Sequence, residues 1–380
     1  MKKVLIYMPI NKLKPIGGPA GYLYNLNDAL KGMKTNIEFL PKVKENNKKE
    51  KIKKMLPQKI KLLLRTIKLS RLLKKSNSDN IDFDNYDIIH FHSTEDLYKC
   101  RKKLEFYNGK VVLTSHSPCA LHIELKNSIP TNFYKIFKKK IDDLEEMDKY
   151  AFKRADFIIF PCVEAEEPYY NSWKEYASIR EKNKIRYLYT GIIPCKAKIS
   201  AETYRRENNY SKNDFIICYV GRHNKVKGYD NFLNIGLEAI NKLKVKILVA
   251  GKQEPLKGPQ NNNWNEIGWT NDPHSLINSA DVFVLPNKET YFDLIMLEVL
   301  SLGKIILTTY TGGNKTFKKF KNSGIFYYEG INDCLKKIEM LEKMNINDRE
   351  KLEKRNREIF ENNFNNEVFA KNYINLIERL

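Results

Sequence analysis

The chain has 380 residues, enough for two domains with separate cores, and its 42% hydrophobic content excludes a disordered protein. No apolar run approaches the roughly 20 residues of a spanning helix. A formal net charge of +21, from 67 Lys and Arg against 46 Asp and Glu, favours an anionic partner such as nucleic acid, lipid or a phosphorylated substrate.

The N-terminus, MKKVLIYMPINK, begins like a signal peptide, but its apolar core is too short and no small-residue cleavage site follows. It predicts a first strand over Lys3–Met8. A glycine-rich turn, Pro15 to Gly21, then leads into a helical stretch, Tyr22–Leu30. Such a turn lets a ligand approach the backbone near a helix N-terminus. It is not a G-x-G-x-x-G fingerprint, and no acidic residue ends the next run, Asn36–Leu40, which counts against a dinucleotide enzyme.

Charge is concentrated next: Lys42 to Lys75 holds 14 Lys and Arg against two Glu. Within Lys51–Lys75, Leu56, Ile60, Leu63 and Ile67 are spaced 4, 3 and 4 apart, one face of a helix, which Leu62, Leu64, Leu69 and Leu72 widen. Two readings stay open. The helix packs on a sheet, or it lies on anionic lipid at ~1 kcal/mol per basic residue near the surface. In the second case Lys59, Lys61, Arg65 and Lys68 face the membrane, and Phe137 with Lys138–Lys140 extends the patch.

Strand-like runs follow at Ile88–His92, Val111–Ser115, Phe157–Pro161 and Arg186–Thr190. A second series comprises Phe215–Val220, Val245–Ala250, Val282–Pro286 and Lys304–Thr309. Continuous apolar strands separated by helices mean parallel sheets covered on both faces. Two series predict an α/β protein of two doubly wound, Rossmann-like domains facing a cleft. The break falls in the polar stretch Lys196–Asn213. This gives one domain over 1–195, joined by a C-terminal helix at 366–380, and a second over 196–365. Asp348–Leu380 is helical by periodicity. The six cysteines, Cys100, Cys119, Cys162, Cys195, Cys218 and Cys334, form no C-x-x-C pair, which favours reduced, buried thiols in a cytoplasmic protein over disulfides or zinc.

In open parallel sheets ligands bind at the carboxyl ends of strands. In the first half those ends carry His90 and His92 (DIIHFHS) and His116 (VVLTSHSP), of which His116 sits in the sharper, more polar turn. In the second half Arg222 and Lys227 lie in GRHNKVKGYDNF, Gly221 to Phe232, with Lys227-Gly228 at the start of a helix where a cation and backbone N–H groups can share an anion. Later, PNKETYFDLIMLEVLSLGKIILTTYTGG runs from Pro286 to Gly313, and its Glu298 stands in an otherwise apolar helix, costly unless paired or at a cleft.

The order G-G turn, strand-H, G-R-x-x-x-x-K-G, strand-P-N, F-x-L-x-x-x-E, G-x-x-[IV] and G-G resembles the retaining, nucleotide-sugar-dependent glycosyltransferases of the GT-B fold, the group-1 or family-four-like type of many bacterial polysaccharide enzymes. The resemblance is strongest over Phe215–Gly313. It implies that Arg222 and Lys227 bind the donor diphosphate, that Glu298 binds the ribose, that His116 lies beside the donor sugar, and that Gly17 and Gly18 close over the sugar-phosphate. The family's acidic pair is spaced E-x7-E, but here the first position is Thr290, with Glu289 one residue earlier, and the family's Gly after the Phe is Asp293. Either Glu289 reaches the sugar, or Thr290 and Asp293 take over its hydroxyl contacts, within a donor-binding segment that includes Tyr291, Phe292 and Leu294.

The resemblance further implies transfer of a sugar from a nucleoside-diphosphate sugar, a UDP-sugar being the expected donor, to a glycan or lipid-linked acceptor. The reaction would be metal-independent, with no other cofactor and no metal site, because no D-x-D follows a strand. The expected location is the cytoplasm, peripheral on the membrane if the basic helix binds lipid. Alternatives are a soluble glycosyltransferase with a protein acceptor, a sugar-nucleotide epimerase of the same fold, and, on charge alone, a nucleic-acid-binding protein. The last lacks a recognition motif and a stacking platform, so nucleic acid is not an expected partner.

Overall fold

A computed structural model describes residues 1–9, 13–15, 18–40, 56–74 and 81–380, without the side chains of residues 58 and 59. The chain divides into two compact units, Met1–Tyr189 with Ala370–Leu380, and Thr190–Phe369.

In the first unit β1 (Val4–Tyr7), α1 (Pro19–Leu30), β2 (Ile37–Phe39) and α2 (Gln58–Lys74) lead to β3 (Ile88–Phe91) and β4 (Lys110–Thr114). After α3 (Thr131–Asp142) come β5 (Phe157–Phe160) and β6 (Ile185–Tyr187). The six strands are parallel in the order β2-β1-β3-β4-β5-β6. Both β1 and β3 are buried at every residue, as expected of central strands covered on two faces. The order reverses between β1 and β3, the place where open parallel sheets in general form a crevice at the strands' carboxyl ends.

The second unit contains β7 (Phe215–Val220), α4 (Tyr229–Lys242), β8 (Val245–Ala250), β9 (Trp264–Gly268), α5 (Pro273–Ser279) and β10 (Val282–Leu285). It continues through α6 (Leu294–Ser301), β11 (Ile305–Thr309), β12 (Ile325–Tyr328) and α7 (Ile346–Asn363); a last helix, α8 (Asn366–Arg379), follows. This sheet is also parallel, ordered β12-β11-β10-β7-β8-β9, with its reversal between β7 and β10. Its core stacks Tyr219, Phe232 and Trp264 on one side of β7 and β8.

The strand runs read from sequence are present, with ends moved by one to three residues. Two strands were not foreseen: β9 and β12. The basic helix also differs from its predicted orientation. The face that packs inward carries Thr66, Leu69 and Leu72, against a cluster that includes Tyr98, Leu121, Leu125, Leu144 and Met147. Ile60 and Leu64, assigned to the apolar face, are 43% and 48% exposed. Thr66 can occupy the core because its hydroxyl donates to the Leu62 carbonyl one turn earlier at 3.0 Å. The helix therefore rotates its two deepest leucines in and leaves the predicted stripe half outside.

Candidate active site

The sites are built separately on the two units. In the second, Arg222 lies exposed in the loop after β7 and makes no ion pair among the described residues, while the Tyr219 hydroxyl donates to its carbonyl at 2.9 Å. The loop closes through Asn224, whose side-chain oxygen accepts the Lys227 N–H at 2.9 Å. Gly228 then opens α4 at φ 67, where a side chain would be strained. A Cβ there would come 1.8 Å from the Pro286 carbonyl oxygen. Glycine thus lets the loop after β7 touch the loop after β10, the neighbouring strand.

That contact brings Lys227 to Asp293, Nζ to Oδ2 at 2.5 Å, and Asn287 donates to the same oxygen at 2.6 Å. Burial pushes the Asp293 carboxyl up, but the Lys227 charge and these hydrogen bonds outweigh it and hold the group below the usual carboxylate range. Lys227 and Asp293 were both expected in the site, but their pairing and Asn287 were not. Asn287 stood in the quoted Pro-Asn pair after β10 and went unassigned.

The rest of the acidic-aromatic loop is held from below. Thr290 is buried and its carbonyl accepts the Gly313 N–H at 3.3 Å. Gly312, at φ 40, comes so close that a Cβ would lie 1.9 Å from that same carbonyl oxygen. Phe292 stacks on Phe317 with centroids 5.8 Å apart. Tyr291 is half-buried, Leu294 starts α6, and Glu289 points to solvent at the loop's exposed edge.

On α6, Glu298 is half-buried and meets His274 of α5, Nε2 to Oε2 at 3.2 Å. Hydrogen bonds to Cys195 and to Glu298 hold the His274 imidazole in its charged form, its pKa raised to about 10. Cys195, His274 and Glu298 each offer an atom within 4.8 Å of the other two. Sequence spacing carried no sign of this group. All six cysteines are free and five are buried, but Cys195 departs from the expected buried thiols by being half-exposed.

In the first unit, Gly18 at φ 75 caps α1, and Gly17 lies outside the described residues. His116, after β4, is partly exposed and bonds through Nε2 to Nδ1 of His92 at 2.9 Å, the rings nearly parallel. Tyr22 of α1 sets its ring against His116 at 4.8 Å. Behind them His90 is fully buried, with Nδ1 on the Tyr373 hydroxyl and Nε2 on Thr114, both at 2.8 Å. Burial, reinforced by the nearby His116, lowers His90 to about 3, and burial lowers His116 to about 3. His92 is pushed well below its ordinary value by burial and both neighbours, and its Nε2 finds no partner among the described residues. Of the three histidines only His116 opens toward solvent.

The basic helix leaves Arg65 and Lys68 exposed, with Lys68 near Glu95 at 3.8 Å. Lys61 is half-exposed, and the Lys59 side chain is outside the described residues. Beside α2 lies α3, whose only buried residue is Ile141 and whose Phe133 and Ile136 are 40% and 75% exposed. No helix among the described residues is long and apolar enough to cross a membrane.

Comparison with known proteins bears on both units. Residues 200–359 match the family glycosyl transferases group 1. An uncharacterized 41.2 kDa protein in the cps region of Klebsiella pneumoniae is 24% identical over 233 residues, 59% of this chain and 60% of that protein. An uncharacterized glycosyltransferase of Methanocaldococcus jannaschii is 22% identical over 162 residues, 39% of this chain and 42% of the other. The matched segments thus span less than two thirds of either relative. Among solved structures, sucrose-phosphate synthase from Thermosynechococcus elongatus has a TM-score of 0.65 at 15% identity, covering 99% of this chain and 98% of that one. HepE of Anabaena in complex with UDP-glucose has a TM-score of 0.63 at 13% identity, covering 100% of both. At such identities the likeness establishes the fold. The chain thus resembles the glycosyl transferases group 1 family over residues 200–359, and its two Rossmann-like units have the GT-B fold.

Proposed function

We propose that the chain transfers a sugar from a nucleoside-diphosphate sugar, a UDP-sugar, to a glycan or lipid-linked acceptor with retention of configuration and without a metal. The observation that carries this reading is the pair of cations after β7, exposed Arg222 and Lys227, at the sheet's order reversal inside the segment that resembles group 1. A protein of the same fold binds UDP-glucose, which supports the choice of donor.

In this reading the bond between the sugar's anomeric carbon and the diphosphate oxygen breaks first, and negative charge grows on the leaving diphosphate. Arg222 and Lys227 stabilise that charge, work that a divalent ion does in other sites. The acceptor hydroxyl then bonds to the same face of the oxocarbenium-like sugar and gives its proton to the departing diphosphate, so no protein nucleophile is needed. Glu298 accepts from the ribose hydroxyls. Asp293 holds Lys227 in place until the diphosphate arrives, and Glu289 is the exposed carboxylate at the loop's edge that meets sugar hydroxyls. His116, kept neutral by burial, can donate or accept a hydrogen bond toward the sugar without adding charge.

A second part concerns location. Ile60, Leu64, Phe133 and Ile136 are exposed among Lys61, Arg65, Lys68 and Lys138–Lys140, apolar and basic groups on adjoining helices. That combination favours peripheral binding to anionic lipid. Flotation with anionic liposomes at low salt should carry the protein, and the bound fraction should fall as salt screens the charges. Protein left unbound at low salt would remove the membrane from the account.

The activity itself is tested by release of nucleoside diphosphate from candidate donors in excess EDTA, with the anomeric configuration of the product read by nuclear magnetic resonance. Turnover that EDTA abolishes and Mg²⁺ or Mn²⁺ restores would contradict the metal-free reading, and an inverted product would contradict retention.

A further inference from the structure

We propose that Cys195, His274 and Glu298 form a binding site for a borderline-soft transition ion, zinc above all, and that metal and nucleotide exclude one another there because both use Glu298. The second clause rests on the ribose role given to Glu298 above; the metal site stands on geometry alone.

One ligand atom from each residue lies within 4.8 Å of the other two, and the ion would displace the Cys195 thiol proton and one proton of the charged His274 imidazole to solvent as it binds. A tetrahedral zinc ion with bonds of 2.0–2.3 Å would draw such atoms to about 3.3–3.7 Å apart, so a closure of about an ångström completes the tripod. The residues come from three different pieces of chain, yet those pieces are tied together beside the site. The Cys195 N–H donates to Ser301 Oγ at 2.8 Å, on the helix that carries Glu298. The Lys198 and Ile199 N–H groups donate to Ser275 Oγ at 2.8 and 3.2 Å, next to His274. Asp272 in turn caps that helix by accepting from the Ser275 N–H at 3.2 Å. These bonds fix the ligands from behind, as supporting residues do in metal centres.

The donor set decides the ion. One thiol, one imidazole and one carboxylate suit zinc or cobalt, whereas magnesium and calcium prefer oxygen-only cages. Three protein ligands leave a fourth position open, the pattern of zinc sites that exchange a water or an inhibitor. Because Glu298 would be held by the ion, ribose hydroxyls would lose their acceptor. The metal would restrain the enzyme, not activate it, in keeping with the metal-free transfer proposed above.

The test uses the full chain, stripped with chelator, desalted, and titrated with Co²⁺ in a phosphine reductant. One equivalent should produce a thiolate-to-cobalt charge-transfer band in the near ultraviolet and the strong visible bands of four-coordinate cobalt. Both should disappear in Cys195→Ser and weaken in His274→Gln, with circular dichroism confirming that each variant is folded. Mg²⁺ should not displace the cobalt, and Zn²⁺ should. Absence of the bands in wild type, or their survival in Cys195→Ser, overturns the site. Uridine diphosphate should bleach the bands; bands that persist at saturating nucleotide overturn the exclusion. Failure of the metal-free protein to bind uridine diphosphate by calorimetry would instead count against the donor reading, while the cobalt spectrum still decides the metal site.

Discussion

The carboxyl ends of the two sheets solve opposite problems with similar scaffolds. In the first unit the polar groups behind the sheet's edge are neutral and hydrogen-bonded to one another, His90 between Tyr373 and Thr114 and His92 through Nδ1 to His116, with His92 Nε2 left without a partner among the described residues. In the second they are charged, with Lys227 on Asp293, His274 near Glu298, and Arg222 exposed and without an ion pair among the described residues. A neutral cluster can orient a sugar hydroxyl but cannot stabilise a leaving diphosphate. A cluster of fixed cations can, because preorganised charges need not reorient when the leaving group develops its own. The contrast teaches that the same topology positions charge only where loops after neighbouring strands touch closely, here through Gly228 against Pro286, which suits the second unit to the anion role proposed above.

The comparison breaks most visibly at Arg222. Arg222→Ala should cost about 100-fold or more in turnover, the scale for removing one charge-stabilising donor, and should leave circular dichroism unchanged because the residue is exposed. Lys227→Ala should lose comparable activity, but it also leaves Asp293 without its cation, so a lower urea midpoint is expected as well. Near-wild-type turnover in either variant would remove the diphosphate role.

Next in size is Glu298→Ala. A hydrogen bond to a charged group contributes about 1.5–3 kcal/mol, so nucleoside diphosphate affinity should fall roughly 10- to 100-fold. Equal affinity by calorimetry would show that the carboxylate does not hold the ribose.

The neutral cluster is sharpened by pH. His90 and His116 are lowered in the folded protein from an ordinary 6.5 to about 3. The unfolded chain therefore takes up protons that the folded one refuses. Stability from this source is complete above about pH 6.5 and is lost as pH falls toward 3, at up to ~1.4 kcal/mol per pH unit per histidine. Urea midpoints between pH 7 and 4.5 should drop less steeply in His90→Gln than in wild type. Parallel slopes would mean that His90 titrates normally.

Much of the fold was legible because central parallel strands must be apolar on both faces, so Phe215–Val220 or Val282–Leu285 announce themselves. The strands not foreseen, Trp264–Gly268 and Ile325–Tyr328, are the two edges of the second sheet. Both are partly exposed; the first is interrupted by Asn265 and Glu266, and the second, Ile325 to Tyr328, is a run of only four residues with a half-exposed middle. The basic helix misled for a local reason: Thr66 looked polar, yet its hydroxyl is satisfied one turn back and it sits in the core. In the site, single residues after strands were legible from topology, since carboxyl ends face the crevice. Partnerships were not. Lys227 with Asp293, and Cys195 with His274 and Glu298, depend on which loops the sheet order sets side by side, and no spacing along the chain encodes that.

The account's central claim is that the charged cluster of the second unit holds a nucleoside diphosphate without metal. Calorimetric titration of uridine diphosphate in EDTA, into wild type and Arg222→Ala, tests it most directly. The account predicts binding in wild type and affinity at least tenfold weaker in the variant. Equal affinity in the two proteins, or no binding until a divalent ion is added, would contradict it.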